Sequence, residues 1–187
     1  MNFGTITSTL AILSLLAGGI GLVLLISLLF PGGRARLAQE LKGQERLAIG
    51  AAWVVALVAS GGSLYYSEGA GFVPCLLCWY QRIAMYPLVL VLGAGALFAD
   101  RHVIRYGLPL TVVGLLIALY HVGIQFQPAL DAGVCTAGVP CSARYIAIFG
   151  FVSIPVMAAG GFLLIAGLLG ALWATSREAA PLQDPPA

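Results

Sequence analysis

Charge is what this 187-residue chain has least of: Asp, Glu, Lys and Arg together make 9%, against roughly a quarter in an ordinary soluble domain. Nine basic and seven acidic side chains cannot clothe a water-soluble globule that is 60% hydrophobic, so that class is excluded. A net charge of +2 leaves no basic surface for nucleic acid. No Lys or Arg precedes Arg34, which removes the basic leader that a secretory signal peptide carries ahead of its apolar core. No internal repeat is visible. Histidine is held to two and cysteine to four, and these six side chains are the reactive inventory. What is abundant is Gly, with 24 residues, among long Leu, Ala and Val runs: the composition of an all-α integral membrane protein.

A helix needs about 20 residues at ~1.5 Å each to cross a hydrocarbon core of roughly 30 Å. Five windows free of charge qualify: Ala11–Phe30, Leu47–Tyr66, Ile83–Ala99, Tyr106–Phe126 and Tyr145–Ala174. The third is short, so Trp79 and Tyr80 complete its outer turn as interfacial aromatics. The last is long enough to tilt, to overrun the bilayer or to bend at Pro155. The chain divides into an extra N-terminal transmembrane helix at 1–33 and a basic linker at 34–46. An up-and-down four-helix transmembrane bundle with two cysteine loops follows at 47–176, then a disordered proline-containing tail at 177–187. Gly93, Gly95, Gly160 and Gly161 would let helix backbones approach closely where lipid gives no hydrophobic drive.

Arg34, Arg36, Lys42 and Arg46 share one connection, Arg101 and Arg105 lie in the next but one, and Arg177 follows the last span. Basic residues gather on the cytoplasmic side of a membrane. The expected topology in a bacterial-type cytoplasmic membrane therefore has the N-terminus outside, the C-terminus inside and connections 67–82 and 127–144 outside. All four cysteines fall in those outer connections, where disulfides form and persist.

Cys75 and Cys78 form a C-x-x-C that follows Pro74 and opens the third span. Free N–H groups and the positive dipole at a helix N-terminus favour a thiolate there. If the helix has begun by Cys78, Arg82 lies one turn deeper on the same face, where it can stabilise a Cys78 thiolate or a bound anion. Its alternative is to snorkel to the head groups. Cys135 and Cys141 enclose five residues, a loop short enough for a disulfide that serves either as a staple or as an exchanging pair. His121, with Gln125 one helical turn later, is read either as a proton relay or as an interfacial boundary residue.

The string Pro74-Cys75-Leu76-Leu77-Cys78-Trp79-Tyr80-Gln81-Arg82 closely resembles the quinone-coupled disulfide-forming membrane proteins of the DsbB/BdbC family. Tyr120-His121 with Gln125, the Cys135–Cys141 spacing, Phe149-Gly150-Phe151 and Ile154-Pro155 extend the likeness over roughly residues 47–174. The tight second pair makes it closer to the BdbC branch. The resemblance implies a four-helix bundle that reoxidises a soluble thioredoxin-fold thiol oxidase, DsbA- or BdbD-like, and delivers two electrons to a membrane quinone, ubiquinone or menaquinone. It implies that Cys135 takes the mixed disulfide with the partner, that Cys141 resolves it and reaches Cys75, and that Cys78 meets the quinone. Arg82, Gln81, His121 and Gln125 are the residues it places toward the quinone, and it implies no metal. The first span has no counterpart in the four-helix pattern. Two other readings compete: a vitamin K epoxide reductase-like enzyme, also a small bundle with two cysteine pairs, and a non-enzymatic membrane protein whose four thiolates bind zinc.

Overall fold

The computed structural model describes residues 2–135 and 138–178, and among them only helices, turns and one isolated bridge occur. Six α-helices follow in order: α1 (Phe3–Ser27), α2 (Pro31–Leu41), α3 (Glu45–Leu64), α4 (Leu76–Phe98), α5 (Val103–Phe126) and α6 (Ile154–Glu178). All but α2 are long and apolar enough to cross a membrane, in agreement with the five spans read from composition. α3 runs on into a single π-helical turn, Tyr65–Gly69.

The ends differ from the charge-free windows. α1 starts at Phe3 rather than Ala11, because polar Thr5, Thr7, Ser8 and Thr9 are readily carried in a helix; Thr9 bonds back to the Thr5 carbonyl at 2.8 Å. The last span begins at Ile154 rather than Tyr145. Pro155 is its second residue, where no intrahelical N–H is needed, so the helix is not bent there. The nine residues before it instead make a tight hairpin turn, with Phe149 (φ +53°) and Gly150 (φ +80°) both left-handed and Ile148 bridged to Val152. Within the stretch read as a linker, Pro31 at the first helical position starts α2, which packs against α6. Arg177 and Glu178 belong to α6, and the remainder of the expected tail lies outside the described residues.

α3, α4, α5 and α6 close a ring of antiparallel neighbours, with α6 returning to α3. Leu88, Leu92, Phe162, Ile165 and Leu169 fill its axis. Small residues set the spacing: a Cβ on Gly114 would collide with the Phe162 ring, and one on Gly95 with Val103. α1 is seated on α6 in the same direction. A Cβ on Gly21 would run into the Leu163 backbone, and one on Gly160 into the Ser14 carbonyl. Phe3, at the far end of α1, joins an aromatic cluster with Tyr65, Tyr66 and Phe72, so α1 begins at the same end of the bundle as the cysteines. At the opposite end, Arg46 donates to the Ala96 carbonyl at 2.8 Å and Arg101 pairs with Glu45.

Candidate functional site

Pro74 holds the chain extended into Cys75, and Cys75 becomes the N-cap of α4. Its sulfur accepts the Cys78 backbone N–H at 3.3 Å, the bond an N-cap side chain makes to the third helical residue. The two sulfurs lie 2.7 Å apart as free thiols. The hydrogen bond from the Cys78 thiol, aided by His121 and the Cys78 amide, draws the Cys75 thiol down to about 5 against the opposing effect of burial. The anion is thus favoured on the capping sulfur.

His121 of α5 is buried to 1% exposure beside this pair. The Gln81 amide donates to Nδ1 at 3.0 Å, which leaves the ring proton on Nε2, 3.0 Å from the Cys141 carbonyl oxygen and 3.6 Å from Cys75 Sγ. Cys141 is buried and bonded to the half-buried Cys135, with their Cα atoms 5.8 Å apart. The sulfurs of Cys75 and Cys141 and a ring nitrogen of His121 all lie within 4.8 Å of one another. Leu77 and Ile124 enclose them in a small apolar cluster. Of the residues expected near this chemistry, Gln125 stands slightly apart. Its amide donates to Ala143 O at 3.2 Å and its carbonyl accepts the Ser153 hydroxyl at 2.5 Å, so it ties the second loop to the start of α6.

Two cavities meet at Cys78. A void of about 20 Å³ borders Cys75, Cys78, His121 and Gln125. On the other side lies a cavity of about 540 Å³, bordered by Cys78, Gln81, Arg82 and Tyr86 of α4 and otherwise by mostly apolar residues of α1, α3, α6 and the Phe72–Pro74 loop, with Ser14, Ser63, Ser67, Tyr66 and Tyr145 among them. Arg82 is only 8% exposed, which rules out the snorkelling alternative. Its Nε donates to the Ser63 hydroxyl and its Nη2 to the Ser63 carbonyl, both at 2.9 Å, and the guanidinium stacks 5.0 Å from the Trp79 ring centre. Nη1 has no hydrogen-bond partner among the described residues, nor does the buried Tyr86 hydroxyl one turn further on. Ser63 was not legible as a partner, for it is one more small residue in the run Ser60-Gly61-Gly62-Ser63.

Residues 45–173 match the family model described as disulfide bond formation protein DsbB. The chain belongs to the DsbB family. Disulfide bond formation protein C of Bacillus subtilis is 50% identical over 117 residues, which cover 62% of this chain and 84% of that protein. Probable disulfide formation protein C 2 of Bacillus anthracis is 46% identical over 121 residues, 65% of this chain and 86% of its own. The probable disulfide formation protein of Oceanobacillus iheyensis is 48% identical over 115 residues, with 60% and 79% covered. No solved structure matches. This DsbB-family protein is therefore a multi-pass membrane oxidoreductase of disulfide bond formation, similar to the C proteins of Bacillus. The match favours it over the vitamin K epoxide reductase-like alternative. Four-thiolate zinc binding needs four unbonded sulfurs, and here Cys135 and Cys141 are joined.

A quinone suits the larger cavity. Its planar head carries carbonyl acceptors, which match the unengaged Arg82 Nη1 and the Tyr86 hydroxyl one turn further along α4, with Gln81 beside Arg82, and its tail is as apolar as most of the remaining walls.

Proposed function

We propose that this DsbB-family protein takes two electrons from a reduced extracytoplasmic thioredoxin-fold thiol oxidase, DsbA- or BdbD-like, and passes them through its two cysteine pairs to ubiquinone or menaquinone. The observation that carries this reading is the approach of Cys75 and Cys141 within 4.8 Å, with His121 beside both. Cys78, alone of the four, borders the large cavity.

A thiolate of the partner attacks Cys135 Sγ, the Cys135–Cys141 bond breaks and Cys141 leaves as thiolate. The partner's second thiol breaks the mixed disulfide in place of the Cys141 expected from the resemblance, since attack by Cys141 on Cys135 would only reverse the first step, so the partner departs oxidised and Cys135 is freed. When Cys75 and Cys78 are joined, the Cys141 thiolate attacks Cys75 Sγ and Cys78 leaves as thiolate, one turn from Arg82. Cys135 then attacks Cys141 Sγ, restoring the second disulfide and releasing Cys75. Two electrons and two protons now rest on the first pair, matching the arrangement of thiols and disulfide described above. A bound quinone supplies the sink for both electrons and both protons. Arg82 and Gln81 would hold its head, Trp79 and Ser63 would fix the guanidinium, and His121 Nε2 would give or take the proton of the departing sulfur.

The test is to mix the purified protein with a reduced thioredoxin-fold oxidase and follow quinone reduction by absorbance. Turnover that disappears on changing any one of the four cysteines to serine is expected. Turnover that survives Cys78→Ser or Cys135→Ser would sink the relay.

A further inference from the structure

α1, which lies outside the family match, forms one wall of the large cavity. Leu13, Ser14, Ala17 and Ile20 border it from α1, while Val54 and Val58 border it from α3. α1 rests its weight on α6 and scarcely meets α3. The gap between α1 and α3 is closed only toward the cysteine end, where Phe3 packs on Tyr65, Tyr66 and Phe72 and Leu10 reaches toward Gly62. Further along, Leu16 (60% exposed) and Ile20 on α1 face outward, as do Val54 and Val58 (44%) on α3, although all four border the cavity. The cavity is therefore roofed at its redox end and open sideways between two apolar helices.

We infer that α1 builds a lateral portal with α3, through which the isoprenoid tail of a quinone held at Arg82 runs out into the bilayer. The inference rests on the quinone reading above and adds to it the path of the tail and the role of the extra helix. The occupant follows from the asymmetry of the cavity: buried donors at one end, and at the other walls that are apolar apart from the Ser14 hydroxyl, itself spent on the Ala11 carbonyl, with an opening between two apolar helices. Gly18, Gly21 and Gly160 keep α1 close on α6, which fixes the position of the portal's outer side.

The experiment uses the full-length purified protein, an isoprenoid quinone and the same quinone head without a tail. Dissociation constants are compared for wild type, Ala17→Trp and Val58→Trp, which narrow the portal from its two sides, and Val23→Trp, which is exposed on α1 outside the cavity wall. The ratio of tailed to tailless constants should rise about tenfold in both portal variants, a difference of one tenfold step in affinity, and stay unchanged in Val23→Trp. In parallel, a quinone with a photoreactive group along its tail should label the wild-type peptide containing Leu13 to Ile20 or that containing Val54 to Val58. An unchanged ratio in both portal variants, or labelling confined to α5, overturns the portal. The redox reading fails separately: binding and labelling at α1 without quinone reduction would defeat it and leave the portal standing.

Discussion

At Cys75 a thiol does a job usually given to serine or aspartate: it caps a helix. The capping bond also grades the two sulfurs of the pair, since the atom that accepts from Cys78 and lies beside His121 is the one that ionises first. The lowered value makes Cys75 a good leaving group when Cys135 restores the second disulfide, and the freed thiolate is expected to be protonated only as pH falls through about 5. Thiolate absorbance of the reduced first pair, measured with Cys135 and Cys141 both changed to serine, should titrate with a first midpoint near 5. Cys78→Ala removes the main donor and should raise that midpoint most, with His121→Ala raising it less. A midpoint unmoved by either change contradicts the assignment. The proline, the spacing and Arg82 were legible in the sequence because they are local. The pairing of His121 with Gln81, and of Arg82 with Ser63, was not, because each joins residues from different helices.

Among the helices, glycines that look alike in sequence differ sharply in duty. Gly21, Gly114 and Gly160 have a neighbouring backbone or ring where a Cβ would go, while Gly50 has nothing within 4 Å. Lipid offers helices no hydrophobic reward for associating, so close packing is what holds them. Gly114→Leu should cost about 1–3 kcal/mol of stability or more, as over-packing of a filled core does, and Gly50→Leu should be near neutral. Thermal unfolding in detergent reads both; equal losses would count against the packing described. Hydrophobic runs revealed the five spans but not which glycines are buried, since the partner of Gly21 lies on α6, more than a hundred residues along the chain. For the same reason α1 was visible as a helix, whereas its seat on α6 was not.

Across the whole molecule, both cysteine pairs and the start of α1 share one end of the bundle, and Arg46 and Arg101 lie at the other. Because basic residues gather on the cytoplasmic side of a membrane, the prediction at this scale is that the cysteine end faces outward. In intact cells, a membrane-impermeant thiol reagent should reach Cys135 in a variant lacking the other three cysteines; labelling only after permeabilisation would invert the topology. The first cysteine pair also forms part of the partition between two separate spaces: Cys75 borders the small void alone, whereas Cys78 borders both the small void and the large cavity. On the relay proposed, a docked protein and a lipid-borne acceptor would never need to be present together. The enzyme would be loaded by one and, after an interval, emptied by the other, storing a pair of electrons in between and serving two pools that fluctuate independently.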